Sequence, residues 1–289
     1  MFGDGFAVTA SGTYTVFGLT LYWYGTIIAV GFLLAVLYVN KRSKEFGLTQ
    51  DNIIDMLICA IPSAIVGARL YYVIFNYSLY QDNFWDIFKI RDGGLAIYGG
   101  ILGSVIAAMI FCRIKKMPVS PFFDLGAFGL LIGQAVGRWG NFMNREAFGN
   151  ETSIFCRMGL TDSSGNTIFV HPTFLYESLW NILGLLLLHF FSKSGKRRYD
   201  GHLFAMYVAW YGFGRMFIEG LRTDSLYLFG TGLRVSQVLA GLSVVVALVY
   251  LAINGSLPHD KSKMLVNIAA AEAAKAEETS GDTKTDETK

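Results

Sequence analysis

Charged side chains are scarce in this chain of 289 residues: Asp, Glu, Lys and Arg make up 16% of it, against roughly one quarter in a soluble domain. Proline is rare, at 5 residues, and there are 3 cysteines. Cys59, Cys112 and Cys156 form no CxxC pair and have no companion histidine at metal-ligand spacing, so neither a zinc site nor a dithiol redox motif is supported. GxxxxGK[ST], GxSxG and HExxH are all missing. Their absence removes the sequence grounds for a nucleotide cradle, a serine hydrolase and a zinc peptidase. The net charge is +2, and the basic residues gather in short loops instead of forming a face, which argues against a nucleic-acid partner. Neither an internal repeat nor a matched pair of broken apolar segments is found, which weighs against a transporter built from inverted repeats.

What the chain has in excess is apolar surface, 53% of its residues, with aromatics at 15%. Crossing the hydrocarbon layer takes about 20 mostly apolar residues. Seven runs qualify, near 17–39, 52–75, 94–112, 120–141, 174–192, 203–220 and 233–253. No Lys or Arg precedes the first run and no small-residue cleavage site follows it, so it reads as a retained span and not a signal peptide. Lys41, Arg42 and Lys44 follow the first run, Arg113, Lys115 and Lys116 the third, and Lys193, Lys196, Arg197 and Arg198 the fifth. By the positive-inside rule these loops are cytoplasmic. The expectation is an all-α integral membrane protein of seven transmembrane helices, N-terminus outside and C-terminus cytoplasmic, with a small extracytoplasmic head from its outer loops. Residues 1–258 form the membrane domain; 259–289, rich in Ala, Glu, Lys and Thr, form a disordered or weakly helical cytoplasmic tail. Of the outer loops, 142–173 carries alternating apolar residues and a Ser-Ser-Gly-Asn turn that predict a hairpin. The aromatic loop 76–93 is expected along the headgroup layer.

Ionisable residues inside spans are costly, so each is a functional hypothesis. With this orientation Arg69, Arg138, Arg215, Glu219, Tyr22, Tyr24, Tyr98, Tyr176, Glu177, Arg234 and Gln237 all fall toward the outer surface. Snorkelling and the aromatic belt account equally well for Arg69, Tyr22 and Arg234 taken singly. A polar cavity opening outward accounts better for the whole set. Asp124 lies near the inner end of the fourth run, where a helix-start role suffices. Arg215 and Glu219 stand four apart on one helix face, and Arg222 and Asp224 follow at the water boundary. Guanidinium forks suit phosphate oxygens, so several arginines at headgroup depth suggest a bound phospholipid head. Gly99 and Gly103, and likewise Gly133 and Gly137, have the small-xxx-small spacing of close helix packing.

"GRWGNFMNREAFG", with "YWYG", "GARLYY", "DGGLAIYGG", "HPTFLYE" and "GRMFIEGLR" in that family's order, makes the chain resemble the prolipoprotein diacylglyceryl transferases across essentially all seven runs. The resemblance implies a bacterial cell-membrane enzyme that moves the sn-1,2-diacylglyceryl group of phosphatidylglycerol to the lipobox cysteine of a preprolipoprotein signal peptide. The products it implies are a thioether and glycerol 1-phosphate, with no cofactor or metal. By motif match it places Tyr24, Arg138, Asn141, Asn144, Glu146, Gly149, Arg215 and Glu219 at important positions, with Arg138 and Arg215 foremost. Arg138, Arg215, Asn144, Glu146, Gly149 and Arg69 are the expected phosphatidylglycerol contacts. Tyr98 stands where many relatives have histidine, and tyrosine, with a reference pKa near 10, is a poor base at neutral pH. It better donates a hydrogen bond, and His171 becomes a candidate base, although a loop histidine at a helix start explains that residue as well. A phospholipid transporter or flippase is the alternative, but it needs access from both sides, and the inner halves of the runs carry few polar groups.

Overall fold

The computed structural model describes residues 6–8, 12–81, 83–90, 93–161, 164–228 and 231–286. Each of the seven apolar runs is a helix: α1 (Trp23–Arg42), α2 (Gln50–Phe75), α3 (Ile97–Ile114), α4 (Ser120–Asn144), α5 (Thr173–Lys193), α6 (His202–Glu219) and α7 (Val235–Ser256). Five of these, all but α4 and α6, are long and apolar enough to cross a membrane. The exceptions are the helices that carry Asp124, Arg138, Arg215 and Glu219. Leu33, Leu34 and Leu37 of α1 and Leu242, Val245 and Val246 of α7 are exposed, as suits helices whose outer faces meet lipid and not water.

The first helix begins at Trp23, not near residue 17. The preceding residues pair instead as an antiparallel hairpin of β2 (Thr13–Val16) and β3 (Leu19–Tyr22). Phe17 (φ 50°) and Gly18 (φ 80°) form its tip, both left-handed as a tight two-residue turn requires. A second sheet joins β1 (Phe6–Val8), parallel to β4 (Met158–Thr161), with β5 (Thr167–Val170) antiparallel to β4. The predicted hairpin within 142–173 is therefore present, although Asp162 and Ser163 of its turn lie outside the described residues. Short 3-10 turns in the aromatic loop include Tyr77–Tyr80 and Phe84–Phe88, with Phe84, Trp85 and Phe88 exposed. The C-terminal tail contains a helix, α8 (Leu265–Asp286).

The chain divides into two compact units, residues 1–39 with 123–264, and residues 40–122 with 265–289. In the second unit α2 and α3 pack through glycines. A Cβ on Gly99 would overlap the Gly67 carbonyl, and one on Gly103 the Ser63 carbonyl, so the small-residue spacing permits backbone contact here as expected. In the first unit Gly137 meets Ile28 of α1, whereas Gly133 has open space around it.

Two interlocks align α4, α5 and α6 in the first unit. The indoles of Trp180 and Trp210 stack with centroids 4.1 Å apart, and each donates to the other's carbonyl at 3.0 Å. Gly184 and Gly214 leave the room for this, since a Cβ on either would overlap the opposing indole. Ser178 donates to the Ala135 carbonyl at 2.8 Å and accepts from Trp139 Nε1 at 3.2 Å, which fixes α5 against α4. Glu177 precedes Ser178, Arg138 precedes Trp139 and Arg215 follows Gly214, so both interlocks set the position of charged neighbours.

Candidate active site: a carboxylate bridging two arginines

Glu177, near the start of α5, is 3% exposed at its side chain. One carboxylate oxygen lies 2.5 Å from Arg138 Nη2 of α4, and the other 2.6 Å from Arg215 Nη1 of α6. Arg215 Nη2 also meets Glu219 at 2.5 Å, the predicted i,i+4 pair. Glu219 is held from three further directions. Ser225 donates to its carboxylate at 2.7 Å, Arg222 stands 4.0 Å away, and Arg234 donates to its backbone carbonyl. On the other flank Arg138 Nη1 donates to Asn141 at 3.2 Å, and Asn141 donates to Glu146 at 2.8 Å. Asn144 reaches Glu146 only at 3.5 Å. The result is one continuous network from Glu146 through Asn141, Arg138, Glu177 and Arg215 to Glu219. Its charges nearly cancel, as burial requires.

A guanidinium has five N–H donors. Among the described residues, hydrogen bonds use one donor of Arg138, to Asn141, and one of Arg215, to Glu177, while the Arg138–Glu177 and Arg215–Glu219 contacts are ion pairs without hydrogen-bond geometry; side-chain exposures are 19% and 16%. Both arginines therefore keep donors for an incoming anion. Arg69, expected to join them, is used up. Its Nε donates to the Ile87 carbonyl (2.7 Å), Nη1 to those of Gly93 (2.7 Å) and Gly94 (3.0 Å), and Nη2 to those of Asp86 (2.7 Å) and Lys89 (3.4 Å). All five donors hold the loop ahead of α3, leaving none for a phosphate. Tyr98, in the same unit, is exposed and lies beside Tyr71, ring centroids 6.4 Å apart.

Tyr24 lays its ring on Gly140, between Arg138 and Asn141 in sequence, where a Cβ would come within 2.8 Å of the ring. Glu146 is flanked by Arg145 (φ 55°) and Ala147 (φ 58°), two left-handed residues without the freedom of glycine. Such strain tends to collect at functional sites. Gly149 is a packing requirement. A Cβ there would come 2.7 Å from that of His171 and 3.0 Å from the Leu221 carbonyl, while its N–H donates to the His171 carbonyl at 3.0 Å. His171 Nδ1 lies 3.2 Å from the Tyr176 hydroxyl, which Cys156 Sγ approaches at 3.8 Å.

Glu177 carries the centre, yet sequence reasoning only grouped it with the outward-facing polar residues. The signal was a carboxylate four residues into an apolar helix after "HPTFLY", with no cation at i±3 or i±4 to neutralise it. Asp124 also differs from expectation: it caps α6 and not its own helix, accepting from the N–H groups of Gly201 and Phe204 at 2.8 Å each. Beyond the network, Arg222 donates to both oxygens of Asp224, at 3.0 and 2.8 Å. That contact holds the Asp224 carboxyl below its ordinary range, against the opposing effect of partial burial.

Apolar helices and a buried guanidinium–carboxylate centre define a multi-pass membrane protein with a polar site at one end of its helices. The family model described as prolipoprotein diacylglyceryl transferase matches residues 13–253. The chain is 42% identical over 255 residues, 86% of its length and 91% of the relative's, to the phosphatidylglycerol–prolipoprotein diacylglyceryl transferase of Enterococcus faecalis. Identity to the protein of that name from Listeria welshimeri is 46% over 237 residues, 80% of this chain and 84% of the relative. For Bacillus mycoides it is 41% over 254 residues, 86% and 93%. The chain belongs to the prolipoprotein diacylglyceryl transferase family.

Proposed function

We infer that the chain transfers the sn-1,2-diacylglyceryl group of phosphatidylglycerol to the lipobox cysteine thiol of preprolipoproteins. The observation that carries this reading is the Glu177 bridge, which holds two arginines side by side with donors to spare. Arg138 and Arg215 bind the phosphate, and Glu177 fixes the distance between them. Glu219 orients Arg215, while Asn141 and Glu146 orient Arg138 and, with Asn144, the glycerol. The cysteine sulfur, as thiolate, bonds to the glycerol carbon that bears the phosphate. The carbon–oxygen bond to that phosphate breaks, and glycerol 1-phosphate departs with the bonding electrons. Charge gathers on phosphate oxygens as this happens, where fixed guanidinium donors in a dry site lower the barrier most. The thiol proton passes to a base, for which His171 is the candidate in this unit.

In this reading α1–α7 all cross the bacterial cytoplasmic membrane, with α4 and α6 shielded by their neighbours and the arginine centre toward the outer face. The basic residues ending α1 (Lys41, Arg42), α3 (Arg113) and α5 (Lys193) support that orientation. The test is purified protein in nanodiscs with phosphatidylglycerol and a lipobox peptide. A peptide heavier by one diacylglyceryl group, with an equivalent of glycerol 1-phosphate, is expected, and a Cys-to-Ser peptide should stay unmodified. Release of glycerol 1-phosphate without peptide modification would defeat the reading.

A further inference from the structure

A second polar site lies at the opposite end of α5 from Glu177. It is a cavity of about 500 Å³ between the last turns of α5 and α7, the 194–201 loop and the start of α6, a volume within the usual range for small-ligand pockets. Phe191, which lines it, is 14 residues along α5 from Glu177, roughly 20 Å at helical rise. Neither the sequence motifs nor the proposed reaction uses it.

Lys196, Arg198, Lys261 and His202 line the cavity, while Phe191 and Leu251 supply apolar wall. The nearby carboxylates are engaged elsewhere. Asp124 pairs with Arg197 at 3.1 Å and caps α6, Asp200 also pairs with Arg197, and Asp260 accepts from Ser262. Arg198 donates to the Gly255 carbonyl at 3.0 Å, a contact that fixes the side chain without neutralising it, and Lys261 donates to the Gly195 carbonyl at 3.1 Å. Among the described residues no carboxylate is within ion-pair distance of Lys196 or Arg198. A second and independent feature is Tyr199, its ring 4.8 Å from that of His202 and 4.4 Å from that of His259. It lines the same cavity, and its buried hydroxyl has no hydrogen-bond partner among the described residues. Burial pushes that hydroxyl up to about 12, so it remains protonated and able to donate.

We propose that this cavity binds a phosphate-bearing anion, with Lys196 and Arg198 supplying charge and the Tyr199 hydroxyl donating to a phosphate oxygen. Basic pockets between membrane helices are characteristic headgroup sites. The same chemistry would also accept a free phosphate ester from the aqueous side. Under the orientation proposed above, a lipid bound here belongs to the inner leaflet, whereas the substrate lipid enters from the outer one.

Native mass spectrometry of the full chain in detergent tests this, with dioleoyl phosphatidylglycerol, phosphatidylcholine and inorganic phosphate as probes. The wild type should retain one more phosphatidylglycerol than the Lys196→Gln/Arg198→Gln protein, and the two should not differ with phosphatidylcholine. Each charge removed should weaken the anion roughly fivefold. Tyr199→Phe, which removes one oxygen and no charge, should weaken it roughly tenfold and guards against misfolding of the double variant. If inorganic phosphate binding falls in these variants while lipid retention does not, the source is a soluble phosphate. Unchanged binding of both probes in all the variants overturns the proposal.

Discussion

Replacing Glu177 by Gln tests the centre most directly, because it alters a single atom type in a side chain only 3% exposed. The carboxylate now lies 2.5 Å from Arg138, 2.6 Å from Arg215 and 3.9 Å from Arg222. In the variant those cations lose their shared counterion, and the glutamine NH2 must face one of the guanidinium groups. Breaking a buried pair from one side costs about 3–5 kcal/mol. The retained amide oxygen still accepts one hydrogen bond, worth about 1 kcal/mol, which leaves a loss of about 3 kcal/mol. For a domain of this size that is a fall in Tm of roughly 6–12 °C. Tryptophan fluorescence follows the unfolding well, because Trp139 donates to Ser178, the residue after Glu177. Turnover should fall more steeply than stability at assay temperature, since a misplacement of about 1 Å can cost roughly a hundredfold. Glu177→Asp keeps the charge but shortens the reach, and should fall between the two. A Gln variant that melts within about 1 °C of wild type and turns over at an undiminished rate would refute the bridging role.

Two further outcomes follow from the geometry. Arg69→Lys exchanges a five-donor fork for three donors on one nitrogen, so the backbone around Asp86, Ile87 and Gly94 should lose protection from hydrogen exchange; unchanged protection would argue against the clamp. The depressed Asp224 carboxyl contributes stability above its unfolded pKa of about 3.9, and that contribution is lost as pH falls through the lower folded value. Asp224→Asn should therefore be less stable than wild type at pH 6, with the gap closing below about pH 4; a gap independent of pH would contradict it.

Much of the architecture was legible because membrane insertion is governed by local properties. A run of about 20 apolar residues is a helix whatever surrounds it, and all seven runs are helical. The i,i+4 pairing of Arg215 with Glu219 was readable for the same reason: the spacing alone makes them neighbours. Residues 17–22 misled because apolar composition hid a two-residue turn, and a strand with exposed apolar residues reads like the start of a span.

The sequence by itself determined the helices, the scarcity of charge within them and the set of polar residues that had to be explained. Only the tertiary structure decided what each of those residues does. Arg69 and Arg138 look alike in sequence, each a lone arginine near the end of an apolar run; one is enclosed by five carbonyls, and the other meets a carboxylate from a different helix and keeps donors free. Glu177 finds Arg215 across 38 residues of chain, and Asp124 caps a helix start 77 residues away. The chemical role of an ionisable group depends on which donors and acceptors surround it, and in a helical membrane protein those partners arrive from other helices, at sequence separations that no local pattern encodes.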